Sequence, residues 1–300
     1  MTVSTVEQVT DPLAEHGEGP VWHAGWPGLR WVDMLAGDVL ELVSGSVRRH
    51  HVGAVAAALR PCPDGRAIVA VQRGFALAAA DLAEVWPFDP LWTNPGVRMN
   101  DGDCDPDGRF YCGSMAYDER PGAGSLYRLD RDGSVSTVLT GVTISNGLAW
   151  SPDGGTAYYI DTPTHRIDAF DYDAARGLSG RRSVLSIPES DGAPDGMTVD
   201  AEGRLWVALW GGAGVRCYEP DGRLVEHLTL PVTQVTACTF GGPNLDELYV
   251  TTSRQGVPAG EQPEAGALFV ARLGIRGLPA RSYQPDSSVE RRVTSRQGMS

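Results

Sequence analysis

One phrase recurs along this chain, and it restricts the possible folds more than any other feature. Its clearest copy, TISNGLAWSPDGGTAYYID at residues 143–161, has an Asn-Gly leading into a short apolar strand at 148–150. A Ser-Pro-Asp-Gly-Gly turn follows, then a second strand at 157–161 that ends in an acidic residue. Related phrases read GPVWHAGWPGLRWVDM from Gly19, AALRPCPDGRAIVAV from Ala57, GDCDPDGRFYCGSM from Gly102, GMTVDAEGRLWVALW from Gly196 and TACTFGGPNLDELYVTTS from Thr236. These six copies are spaced by roughly 40 to 50 residues, the length of one four-stranded propeller blade.

After most copies come two further strand-like runs, such as DVLELV then VRRHHV, SLYRLD then VSTVLT, and RIDAFDY then RSVLSI. Their alternation, rich in β-branched and aromatic residues and bounded by Gly, Pro and Asp, is that of strands. The pattern predicts an all-β, six-bladed β-propeller with four-stranded antiparallel blades, in one domain over residues 1–284. A β-sandwich would give no reason for one phrase to return at constant spacing. Residues 76–85, ALAAADLAEV, consist of helix formers, but their phase in the second repeat assigns them to strand. The sixth repeat lacks a fourth strand, so residues 2–9 are expected to pair into the last blade and leave no open sheet edge. Residues 285–300 are polar and aperiodic, which predicts a disordered tail.

Composition excludes several partners. Net charge is −13, and no Lys/Arg cluster is dense enough to follow a phosphate backbone, so nucleic acid is not expected. No apolar run approaches the roughly 18 residues of a membrane helix, and the N-terminus lacks the basic and apolar regions of a secretory signal. A cytoplasmic protein is expected. The five cysteines are odd in number and never form C-x-x-C, which fits buried reduced thiols better than disulfides or a zinc knuckle. Trp22, Trp150, Trp206 and Trp210 read as packing between blades.

The innermost strand of a propeller blade starts near the central channel. The residue before the Gly that opens each phrase therefore points at the axis. In four repeats that residue carries oxygen: Glu18, Asp101, Asn146 and Asp195. The second repeat offers Ala54 or Val55 and the sixth Val235 or Thr236. Taken singly, each X-Gly is a turn that caps a strand. Several in one phase instead gather carboxylate and amide oxygens, which suit a hard divalent cation. Arg98 and Asn100, two apart on an extended segment, share a face and can meet one ligand, although Arg98 also reads as an ordinary surface ion-pair partner. Asp118 and Glu119 follow the second strand of that repeat in GSMAYDERPGAG, where a carboxylate is usually solvated.

HGEGPVW, RMNDGDCDPDGRFYCGSM, SLYRLD, ISNGLAWSPDG and PDGMTVDAEGRLWVALWGG together resemble the SMP-30/gluconolactonase/regucalcin-like family, over residues 15–273. The resemblance implies a six-bladed propeller with one divalent cation near the axis, Ca²⁺ first and Zn²⁺, Mn²⁺ or Fe²⁺ as alternatives, and hydrolysis of a sugar lactone. Carried over residue by residue, it implies Glu18, Asn146 and Asp195 as metal ligands and Arg98 and Asn100 as substrate contacts, with Asp101 close by. A Glu that the family often has after the GSM phrase is matched by Asp118, one methylene shorter. Asp195 is expected to serve as general base. A phosphotriesterase using the same cation, or a calcium-binding propeller without turnover, are the competing readings.

Overall fold

The computed structural model describes residues 6–289 and 291. Its strands pair into six separate four-stranded antiparallel sheets, the six blades of a β-propeller. Blades one to five occupy residues 17–51, 56–87, 97–142, 145–186 and 193–229, each a simple meander from the axis outward. The innermost strand of every blade lies against those of its two neighbours, which closes the ring. Burial falls along the same direction: Ser145–Trp150, next to the axis, is buried throughout, and the outermost Ser46–His51 is largely exposed. Aromatic pairs fill the seams between blades. Tyr111 and Trp150 meet edge to face at 5.6 Å, and Trp206 and Phe240 at 5.8 Å, in the geometry that aromatic quadrupoles favour.

The sixth blade joins the two ends of the chain, as expected. Val6–Gln8 pairs with Phe269–Arg272 in the register Val6↔Ala271 and Gln8↔Phe269. The remainder of the expected closing strand, before Val6, lies outside the described residues. In the second blade, residues 76–85 form no helix, and they do not form one strand either. Gly74–Ala78 is the third strand, Asp81–Glu84 turns the chain, and Val85–Pro87 is the fourth. Ala76 to Ala78 are fully buried between sheets, so tertiary packing overrides their helical preference. Past the last blade, the chain runs under the propeller. Gly277 bonds to Leu245, Tyr283 to Pro61 and Gln284 to Gly108, all through backbone N–H groups. Of the tail expected to be disordered, Ser287–Val289 is helical and Val289 is buried against blades two and three; Glu290 and the residues from 292 on lie outside the described residues. No helix among the described residues is long and apolar enough to cross a membrane.

One irregularity is common to all six blades. The pairing of the innermost strand with its neighbour slips once, between Glu18 and Val21, Ala56 and Ala58, Met99 and Gly102, Asn146 and Leu148, Pro194 and Met197, and Val235 and Ala237. A bulge bends a strand and re-aims a side chain, and here it turns the axial residue inward. In the second blade it lies at Ala57, so the axial place belongs to Ala56 and Ala57 rather than to Ala54 or Val55. The glycine after an axial residue is steric in origin at Gly102, Gly147 and Gly196, whereas Gly19 is required by its left-handed φ of +47°. A Cβ on Gly147 would stand 2.7 Å from the Asp195 carbonyl of the next blade, and one on Gly102 would stand 2.2 Å from that of Tyr111.

Candidate functional site

The acidic residue that ends the second strand of the repeat has a local task. Asp161 accepts the N–H groups of Thr143 at 3.2 Å and Ile144 at 2.9 Å. Asp33 does the same for Glu15 at 3.1 Å and His16 at 3.0 Å. Each carboxylate therefore pins the loop just before an axial residue, Asn146 in one case and Glu18 in the other.

Those axial residues open into a cavity of about 480 Å³ at one mouth of the channel. Glu18, Asn146 and Asp195, from blades one, four and five, line it together, and Arg98 and Asn100 line it from blade three. The Asn146 amide stands beside Asp195 and draws its carboxyl pKa downward. Arg98 donates to Asn100 Oδ1 at 2.6 Å, and Asn100 Nδ2 donates to the Ser145 carbonyl at 2.8 Å. Arg98 is therefore a buried, internally bonded group and not a surface ion-pair partner.

The electrostatics follow from burial of like charges. The Glu18 carboxyl is pushed well above the usual carboxylate range, first by burial and then by Asp195 and Asp101. Asp195 is raised in the same direction by burial and Asp101, against the opposing pull of the Asn146 amide. Buried carboxylates that face one another favour a shared proton or a cation. Burial also lowers the Arg98 guanidinium from its ordinary value, although Tyr117 and Glu18 pull the other way. His16, at the same mouth, is lowered to about 3 by burial and by Arg98, so it is neutral.

Two expected site residues fall elsewhere. Asp101 stands on the axis but is not part of the cavity wall: its Oδ1 accepts the Gly102 N–H at 2.7 Å, and the Arg60–Asp103 ion pair lies beside it. Burial raises its carboxyl to about 6 against the pull of Arg60. It acts on the site through charge. Asp118 is exposed and ion-paired with Arg120 at 2.9 Å, and the neighbouring Glu119 lines the cavity instead. Glu119 has a φ of +54°, a left-handed turn that reverses which of two adjacent acids faces inward. His16, His165, Trp210 and Gln234 also line the cavity and were not anticipated. Trp210 is thus a site wall, not inter-blade packing. The signal for His16 was its spacing: it precedes Glu18 by two on extended chain, as Arg98 precedes Asn100.

Among the described residues no three His, Cys, Asp or Glu side chains gather closely enough to hold a metal ion by themselves. A cation here would rely on the mixed set of two carboxylates and the Asn146 amide. That amide fits the role. Its nitrogen donates to Thr162 Oγ1 at 3.1 Å on the side of Asp195, which leaves Oδ1 buried with no donor among the described residues. An orphaned buried carbonyl is costly, and a hard cation satisfies it.

Fold and cavity together define a β-propeller with an acidic, mixed-oxygen pocket on its axis. Residues 16–254 match the model of the SMP-30/Gluconolactonase/LRE-like region, and the chain belongs to that family. Regucalcin of Bos taurus is 38% identical over 297 residues, covering 94% of this chain and 99% of that one. The solved calcium-binding regucalcin of Agrobacterium tumefaciens superposes with a TM-score of 0.89 at 28% identity, over 93% of this chain and 97% of that one. A gluconolactonase of Xanthomonas campestris superposes with a TM-score of 0.73 at 26% identity, over 90% of both chains.

Proposed function

We propose that the protein is a divalent-metal-dependent hydrolase that opens sugar lactones to the free hydroxy acids. The observation that carries this reading is the pairing, in one cavity, of raised carboxylates with the donor-free Oδ1 of Asn146. Similarity to a gluconolactonase and to regucalcins supports it.

Glu18, Asn146 and Asp195 would hold the cation, which when bound supplies Lewis-acid stabilisation to the charge developing on the lactone carbonyl oxygen. Asp195, beside the cation and the reacting carbonyl, takes a proton from water as that water adds to the carbonyl carbon. A carboxylate held within reach of that water is suited to this step. As the ring C–O bond breaks, the proton passes to the departing ring oxygen, leaving a hydroxyl and a carboxylic acid that releases its remaining proton to solvent. Arg98 and Asn100, already bonded to each other, hold the substrate's oxygens, and Glu119, from the same blade, lines the cavity beside them. Trp210, Met115 and Ile144 make the apolar part of the wall and limit water to what the reaction needs.

The test is acid release from a panel of aldonolactones by protein stripped of metal and reloaded separately with Ca²⁺, Mn²⁺, Zn²⁺ or Fe²⁺. Chelation should abolish turnover while the thermal transition remains cooperative. Asp195→Asn should lose on the order of 100-fold or more in kcat, and a near-wild-type rate would remove Asp195 from the reaction. Turnover of organophosphates in preference to every lactone would move the reading to a phosphotriesterase. Tight Ca²⁺ binding without turnover of either class would favour a binding propeller, in line with the calcium-binding description of the Agrobacterium relative.

A further inference from the structure

We propose that His16 determines substrate specificity by hydrogen-bonding, through Nε2, a hydroxyl of the bound lactone. This rests on the lactone-hydrolase reading and adds the requirement that the substrate carry a hydroxyl on the side of the cavity facing blades five and six.

The imidazole is held by its surroundings in one orientation. Nδ1 lies 2.8 Å from Ser253 Oγ, in the segment that leaves the second strand of blade six. That hydroxyl also accepts the Gln255 N–H at 3.0 Å and lies 3.3 Å from the Glu15 carbonyl. The His16 backbone is pinned by Asp33 at 3.0 Å, and its ring stands edge-on to Trp210 with centroids 5.9 Å apart. Only Nε2 is left to face the cavity. Glu18 Oε1 is 4.0 Å from it, too far for a hydrogen bond. A partner for Nε2 therefore has to come from what the cavity holds.

A hydroxyl is the group that suits this atom. It both donates and accepts, so it pairs with Nε2 whichever ring nitrogen carries the proton. Arg98 and Asn100 approach from blade three, which stands opposite blade six in the ring. A polyhydroxylated lactone would then be read from two sides, while a lactone without a hydroxyl on the His16 side would leave Nε2 unpaired. Sites built around a hydrogen bond reject analogues that lack it.

The experiment uses metal-loaded wild-type protein, His16→Phe, His16→Gln and Ser253→Ala with gluconolactone, its monodeoxy counterparts and unsubstituted δ-valerolactone. His16→Phe should lower kcat/KM on gluconolactone by about 10- to 100-fold, mainly through KM. On the one deoxy lactone that lacks the partner hydroxyl, wild type and variant should coincide. His16→Gln, which keeps a polar tip, should recover part of the loss. Ser253 is a positioning residue, so Ser253→Ala should give a smaller KM rise confined to the same substrates, and it tests the idea should His16→Phe fail to fold. A loss equal on every lactone, δ-valerolactone included, or no loss at all, would overturn the assignment of His16 alone. Wild-type protein inactive on the whole panel would overturn the hydrolase reading, and this inference with it.

Discussion

Thr162 fixes which way the Asn146 amide points. Asn146 Nδ2 donates to Thr162 Oγ1 at 3.1 Å, and that hydroxyl gives its own proton to the Pro194 carbonyl at 2.9 Å. The hydroxyl can therefore only accept from Asn146, and Oδ1 is left for the cavity. Thr162→Val keeps the shape and removes the acceptor. We expect cation affinity to fall by roughly 10-fold, the usual range for residues that orient a ligand, with a thermal transition close to wild type. Titration calorimetry with Ca²⁺ and Mn²⁺ checks this, and unchanged affinity would mean that the amide is oriented by Asp195 alone.

The raised carboxylates give the cation-free protein a stability that depends on pH in a defined direction. Asp101 moves from an ordinary 3.8 to about 6, so between those values the folded state binds more protons than the unfolded state. The associated stability is fully present below the ordinary value and is lost as pH rises through about 6. Glu18 and Asp195 shift the same way and extend the loss upward. One pKa unit corresponds to about 1.4 kcal/mol, so Asp101 contributes at most about 3 kcal/mol, less for its partial exposure to channel water. Melting in chelator should give a lower Tm at about pH 8 than at about pH 5, and Asp101→Asn should flatten that slope. Added Ca²⁺ should restore the Tm at the higher pH, because it binds the folded state. A Tm that rises with pH in chelator would contradict the assignment.

Asp118 and Glu119 are adjacent acids with different surroundings. Asp118 spends its charge on Arg120 in solvent, where an ion pair is worth little, and Glu119 faces the cavity and the Arg98 guanidinium. Asp118→Asn should leave kinetics within about twofold of wild type. Glu119→Gln should raise KM for hydroxylated lactones by roughly 10-fold, with a smaller effect on kcat. Steady-state kinetics on one lactone separates the two residues, and the reverse ranking would return the role to Asp118.

The propeller was legible in the sequence because its unit repeats. Six copies of one strand–turn–strand phrase are visible without alignment, and the axial oxygens follow from their phase. Glu18, Asn146 and Asp195 meet because the same bulge recurs at the same place in each blade. What could not be read depends on local backbone conformation and on contacts between distant blades. The left-handed turn at Glu119 has no composition signature. The position of His16 against Ser253, 237 residues away in the chain, follows only from ring closure. The same holds for Trp210, which shares its strand with the packing residue Trp206 and differs only in lying at the strand's end. The segment under the propeller carries no strand signal because it pairs with no single blade and bonds several of them.

Ring closure also gives a prediction that separates stability from chemistry. The three residues Val6–Gln8 cover the open edge of Phe269–Arg272, with Val9 N–H donating to Leu268 at 2.8 Å and Thr10 Oγ1 accepting the Leu268 N–H at 3.1 Å. The exposed Glu7–Arg272 pair at 2.9 Å adds little, so Glu7→Gln should shift stability by less than about 1 kcal/mol. A chain lacking residues 1–9 loses the whole strand and exposes an unpaired edge, which invites aggregation. It also loosens the seam between blades one and six, where the His16–Ser253 bridge lies. We therefore expect the truncated chain to melt at lower temperature and to aggregate. Its KM for hydroxylated lactones should rise before its kcat falls, because Glu18, Asn146 and Asp195 are held by other blades and by the clamps of Asp33 and Asp161. Thermal unfolding followed by light scattering, with kinetics below the transition, tests both halves. A truncated chain with wild-type Tm would show that the ring stays closed without its terminal strand.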